Sequence, residues 1–221
     1  MYLFLIRHTE SVKNKENRFS SSEDNECLTS QGESDAVEIA KHISSFASQH
    51  SYRCNNVYSA NSTRSIKTAE KIASSINANI QIEEDLRSTR PGVLEGAKKD
   101  RVKETHPEYA QQYYLFEKGV FNVYDFKNPE NKESKRDFEH RVNTCIEKIV
   151  SDQSEDIKII VGHRSSITAI LLFYARKYHN YPTNFSGHIP LDLGCVSILR
   201  QYDNKWEILK VNEKCSIIDN L

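Results

Sequence analysis

The sequence predicts an α/β protein: a three-layer α/β/α arrangement with a central, mainly parallel sheet and an inserted helical cap. Three observations carry this. Short apolar runs alternate with stretches of helical spacing, the pattern of strands covered on both faces by helices. Ile157 to Val161 is an apolar, β-branched run, as expected of a central strand. From about Leu86 to Lys135 the alternation breaks down into charges, tyrosines and the prolines Pro91, Pro107 and Pro129. That stretch reads as an insertion with short helices of its own, lying over one edge of the core. The 221 residues suit one domain, 1–221, carrying this 86–135 insertion, better than two full domains.

The elements follow in order. Tyr2 to Ile6 is an unbroken apolar run and reads as a buried strand. Arg7 and His8 end it after five apolar residues, short of the roughly 7–15 of a signal sequence. Ser30-Gln31-Gly32-Glu33 offers a capping box, opening a helix with Val37, Ala40, Ile43 and Ala47 on one face. A short strand around Asn56-Val57-Tyr58 precedes a helix bearing Ile66, Ala69, Ala73 and Ile76, and Ile80 to Ile82 forms another short strand. Beyond the insertion, Ser134 starts a periodic helix with Phe138, Val142, Cys145, Ile146 and Ile149. The Ile157–Val161 strand leads into a helix with Ile167, Ile170, Leu171 and Tyr174. Val196–Leu199 and Trp206–Val211, joined through Asp203-Asn204, close the chain as a hairpin. Ser20-Ser21-Ser22 belongs to a polar loop.

Composition narrows the function. A net charge of −1 gives no basic field for nucleic acid. No apolar run reaches the roughly 18–20 residues that span a bilayer, so no membrane partner is expected. Cys27, Cys54, Cys145, Cys195 and Cys215 are odd in number and form no C-x-x-C, which fits a reduced, cytoplasmic chain. The sequence contains no G-x-G-x-x-G, Walker A, H-E-x-x-H or G-x-S-x-G motif, and His163 and His179 lack metal-ligand spacing.

Position supplies the chemistry. His8 stands two residues past the first strand, Arg64 at the start of the helix after the second, and His163 two past the Ile157–Val161 strand. In an open α/β sheet, ligands bind outside the carboxyl ends of the strands. Three strands therefore deliver His, Arg and His to one edge, and Arg7 adds a second guanidinium. Arginine presents a fork that matches phosphate, a helix N-terminus adds N–H donors, and a neutral imidazole can accept a phosphoryl group. A lone histidine after a strand is more often a hydrogen-bonding group than a catalyst; what distinguishes this set is the same placement on three strands. His42, His50, His106, His140, His179 and His188 read as surface or packing residues.

Arg7-His8-Thr9-Glu10-Ser11 resembles the R-H-G-E-[ST] signature of the histidine phosphatase superfamily, also called the phosphoglycerate mutase-like family. The resemblance continues in order through Asn14, Glu16-Asn17-Arg18-Phe19, Leu28-Thr29 with Gly32, Val57-Tyr58-Ser59 with Arg64 and Thr68-Ala69-Glu70, Gly92 with Glu95-Gly96, His106-Pro107-Glu108, Glu133-Ser134, Arg141-Val142 and Val161-Gly162-His163. It implies a phosphatase that hydrolyses a small phosphorylated metabolite. His8 would become phosphohistidine, with Arg7, Arg64 and His163 holding the phosphoryl oxygens. Asn14 and Arg18 would bind substrate, and no metal or organic cofactor would take part.

Three positions depart from the pattern. Thr9 replaces a glycine. Arg164 follows the second histidine where glycine is common, and reads as a further anion contact. Ser88 stands where the family carries its acid in L-x-E, here Leu86-Arg87-Ser88. A hydroxyl cannot donate a proton as a carboxylic acid does, so Glu95 and Glu84 become candidate donors. Two alternatives stay open at this point: a phosphomutase of the same fold, and a phosphate-binding scaffold protein that has lost turnover.

Overall fold

The structure is a computed structural model that describes residues 1–19, 21, 27–118, 120, 133–182 and 189–221. Ser20 and Ser22 of the polar loop, Pro129 and the 121–132 part of the expected insertion, and His188 lie outside the described residues.

Six strands form one mixed sheet: β1 (Tyr2–Arg7), β2 (Asn56–Ser59), β3 (Asn79–Ile82), β4 (Ile157–Gly162), β5 (Val196–Tyr202) and β6 (Lys205–Glu213), in the order β3-β2-β4-β1-β5-β6. The pairs β1–β4, β2–β4 and β2–β3 are parallel, while β5 runs antiparallel to both β1 and β6. The longer helices are α2 (Ser30–His50), α3 (Thr63–Ile76), α6 (Lys135–Ser151) and α7 (Arg164–Tyr178), and α1 (Val12–Lys15) is a single turn. Alternation along β1 shows the layering. Leu3 and Leu5 pack with Phe138, Val142, Ile170 and Tyr174 of α6 and α7. Phe4 and Ile6 pack with Ile39, Ile43, Ala69 and Ile72 of α2 and α3. The β5–β6 turn has Asp203 and Asn204 at φ 47 and 59, the left-handed pair that a two-residue hairpin loop requires.

Two expectations shift. Thr29, not Ser30, caps α2: its Oγ1 accepts from the Gly32 N–H at 3.1 Å. The buried stripe is then Ala36, Ile39, Ala40, Ile43 and Phe46, and Val37 is exposed. Gly32 is required here because a Cβ would overlap the Glu10 carbonyl, so the helix start can lie directly against the segment after His8. In α3 the buried hydrophobic residues are Ala69, Ile72 and Ala73, with Arg64, Ser65 and Thr68 buried beside them; Ile66 and Ile76 sit at the margin.

Between β3 and α6 the described chain makes short turns and two helices, α4 (Val102–Thr105) and α5 (Ala110–Glu117). They have a small core of their own, in which Leu94, Val102 and Tyr113 close over Phe19. The backbone of residues 17–19 stitches this cap to the segment after β1, with Phe19 N–H donating to Ala97 O at 3.0 Å and Lys99 N–H to Asn17 O at 3.0 Å. The return to the sheet is clamped by Arg141, whose guanidinium grips Glu133 at 2.6 and 2.7 Å and also donates to the Ser88 carbonyl at 3.3 Å.

Candidate active site

The parallel strands bring the expected residues to one edge. The His8 N–H donates to Gly162 O at 2.9 Å, so the end of β1 is pinned beside the end of β4. His163 follows as the N-cap of α7 and its N–H donates to Ser166 Oγ at 3.1 Å. Arg64 lies in the first turn of α3, capped by Ser62. All three side chains are buried. The two imidazoles meet edge-on, with ring centroids 5.2 Å apart at 70°.

Hydrogen bonding fixes the protonation of His8. A carbonyl can only accept, so the 2.8 Å contact with Thr9 O places a hydrogen on Nδ1. The Arg64 Nε–H donates to His8 Nε2 at 3.2 Å, so that nitrogen presents a lone pair. Both constraints select the neutral Nδ1–H tautomer with Nε2 facing the cation. Charge agrees with geometry. Burial first, then Arg64 and Arg7, hold the His8 pKa well below the ordinary 6.5. Burial, Arg64 and His8 do the same to His163.

Thr9, in the place of the usual glycine, has no positive φ. Its N–H donates to Thr68 Oγ1 at 3.2 Å, and that hydroxyl donates to the Arg64 carbonyl at 2.8 Å. The threonine thus ties the segment carrying His8 to the helix turn carrying Arg64.

The remaining site residues spread around this centre. Arg7 is held by the Leu191 carbonyl, and burial ahead of Arg164 pulls its pKa down to about 10. Arg164, first residue of α7, is itself lowered by burial. Asn14 accepts from Ser11 Oγ at 2.7 Å and Ser11 N–H at 3.2 Å, so its oxygen is committed and its amide N–H₂ is the group left for an anion. Arg18 is set differently: its Nε donates to Glu16 at 2.8 Å and its backbone bridges to Lys98, which places it on the seam with the cap.

A cavity of about 300 Å³ opens beside Arg64 and His163, lined also by Glu84, Arg87, Ser88, Arg90 and Glu95. Both candidate proton donors therefore face the same space as His163 and Arg64. Ser88 Oγ lies 3.2 Å from Ser165 Oγ in the first turn of α7.

Besides Arg87 and Arg90 of the cavity wall, two further cations escaped the sequence reading. Lys13 is buried and its charge acts on both imidazoles. Lys99, in the cap, has its pKa pulled to about 8 by burial, with Arg164 and Arg7 contributing. Both stand among other charged residues, which reads as a solvated surface; only Lys13's place between Ser11 and Asn14 of the first motif pointed inward.

The chain is similar in sequence and in fold to several known proteins. The probable phosphoglycerate mutase GpmB of Escherichia coli is 27% identical over 163 residues, 74% of this chain and 69% of that protein. Among solved structures, a putative alpha-ribazole-5'-P phosphatase from Escherichia coli superposes with a TM-score of 0.74 at 22% identity, covering 97% of both chains. YhfR of Bacillus stearothermophilus gives a TM-score of 0.77 at 20% identity over 96% of both. The mycobacterial glucosyl-3-phosphoglycerate phosphatase complexed with VO3 gives 0.75 at 18% identity, over 96% of this chain and 98% of that one. The family model for the histidine phosphatase superfamily (branch 1) matches residues 3–214, and the chain belongs to that superfamily.

Proposed function

We propose that this protein is a metal-independent phosphatase acting on a small phosphorylated metabolite through a phosphohistidine on His8. The observation that carries the reading is the fixed neutral tautomer of His8, with its Nε2 lone pair against Arg64. A phosphoryl oxygen arriving at the site takes over the Arg64 N–H, which frees Nε2 to attack phosphorus. The Nε2–P bond forms as the bond from phosphorus to the leaving group breaks, and the leaving group departs as a stable anion or takes a proton from a nearby acid. Water then attacks the phosphorus, the P–N bond breaks, and phosphate leaves with His8 restored. Arg7, Arg64 and His163 stabilise charge on the equatorial oxygens in both steps. Asn14 contributes its amide donor, and Arg164 with Lys99 extends the positive field toward the cap. That extension favours a substrate bearing more than one negative charge. Arg18, tied to Glu16, acts at the outer rim of the site.

Proton delivery decides the substrate's chemistry. With Ser88 at the acid position, either the leaving group is good (a phosphoanhydride, acyl phosphate, phosphoramidate or sugar 1-phosphate), or Glu95 or Glu84 donates the proton across the cavity they share with His163. The free cysteines, and the lack of any described helix long and apolar enough to cross a membrane, support a cytoplasmic setting.

A screen of phosphorylated metabolites in the presence of EDTA, read by phosphate release, tests the reading. At least one should be hydrolysed by the wild type and none by His8→Ala. Conversion of a phosphate ester to its positional isomer without net release would instead make the protein a mutase, the activity in the name of its GpmB relatives. Tight phosphate binding with no turnover would make it a binding protein, which the Ser88 substitution favours.

A further inference from the structure

On the surface of α2, a second group of side chains has no part in the proposed reaction. Glu38 and His42 lie one turn apart on that helix. The C-terminal 3₁₀ segment Cys215–Asn220 packs against the same helix and brings Cys215 and Asp219, also four residues apart. Donor atoms of Glu38, His42 and Cys215 all lie within 4.8 Å of one another. Asp219 Oδ1 is 2.8 Å from His42 Nδ1 and accepts its hydrogen, which leaves Nε2 as the ring nitrogen open to a metal. A carboxylate on the far nitrogen is the usual support of a metal-binding histidine.

We propose that Glu38, His42 and Cys215 form a zinc site, with Asp219 as the positioning residue for His42. Thiolate, imidazole and carboxylate are the three donor types zinc takes. With metal–ligand distances of about 2.0–2.3 Å, a tetrahedral site needs donors roughly 3.3–3.7 Å apart. Cys215 is buried and His42 is held by Asp219, so the exposed Glu38 is the arm that swings in. On binding, the Cys215 S–H gives its proton to solvent and the sulfur electron pair goes to the metal. The ion would fasten the C-terminal segment, anchored by Ile218 in the core, onto α2.

Cobalt(II) titrated into the reduced full-length protein tests this. One equivalent should bind, with a near-ultraviolet thiolate-to-cobalt band that zinc abolishes. The band should vanish in Cys215→Ser. Affinity should fall in His42→Ala and Glu38→Gln, and about 10–100-fold in Asp219→Asn. Turnover of a phosphorylated substrate should be the same with and without the ion. Absence of binding at 100 micromolar cobalt, or a band that survives in Cys215→Ser, overturns the proposal. Unchanged affinity in both His42→Ala and Glu38→Gln, which alter only the outer face of α2 and keep the test open should Cys215→Ser misfold, does so equally.

Discussion

The two ends of strand β4 both carry buried positive charge, and they treat it in opposite ways. Near the start, Lys158 is fully buried but meets Asp152 at 3.0 Å and Glu155 at 3.7 Å, with Tyr58 beneath it. These partners outweigh burial and raise its pKa. Beyond the far end, around His163, cations face cations: Arg7 is lowered by burial and by Arg164 and Arg64, and Lys99 by burial, Arg164 and Arg7. A protein neutralises buried charge where charge is structural. An accumulation of like charge with depressed pKa values marks a place where a ligand supplies the balancing anion. On the proposed function, the same strand carries a structural end and a working end.

Substitutions should separate the two. Lys158→Ala strands Glu155 in the interior and should cost about 3–5 kcal/mol of stability, while the residual folded protein retains its phosphate affinity. Denaturant melts with and without phosphate check this; an unchanged melt would place Lys158 outside the structural network. Arg64→Ala should do the reverse. It should lower kcat by about 10²–10³ and weaken vanadate binding, with little loss of stability, because it removes one of several mutually repelling cations. An effect confined to KM would mean that Arg64 only recruits substrate.

Proton delivery at the working end gives a smaller, graded effect. If Glu95 or Glu84 is the donor, rates across a series of aryl phosphates should depend only weakly on leaving-group pKa. One glutamine substitution should then steepen that dependence and slow poor leaving groups by at least about 10²-fold. If neither matters and the wild-type dependence is already steep, the natural substrate carries a good leaving group. A shallow dependence that survives both substitutions would refute both alternatives and place the donor in the cap or in the substrate.

The mildest test is titration. His8 and His163 have folded pKa values below 6.5, so their NMR signals should not shift between pH 8 and pH 6 in the free protein. Below pH 6.5 the unfolded chain takes up protons that these two imidazoles refuse, so their contribution makes stability fall as pH falls. A midpoint at 6.5 for either ring would mean that the site is open to water.

Much of this was legible in the sequence, because topology is written in periodicity. The Tyr2–Ile6 and Ile157–Val161 runs read as strands of a mainly parallel sheet, and strand ends pointed to one edge for His8, Arg64 and His163; that the two strands are neighbours came from the fold. What stayed hidden depends on tertiary contact. Lys158 lies inside a run that reads as apolar, and only the loop bearing Asp152 and Glu155 makes its burial tolerable. Lys99 looks like a solvated charge until the cap folds it in beside Arg164. Thr29 and Ser30 are equally good caps by residue type; the Thr29 N–H to Glu10 O bond at 3.0 Å and the Gly32 N–H to Thr29 Oγ1 bond at 3.1 Å make the choice.

The central claim is that His8 Nε2 carries the phosphoryl group. Rapid acid-free quenching during turnover, followed by peptide mapping under alkaline conditions, tests it most directly. The account predicts a base-stable, acid-labile phosphate on the peptide containing His8, formed at least as fast as turnover and absent in His8→Ala. Full activity in His8→Ala, or turnover with no phosphate on that peptide, would contradict it.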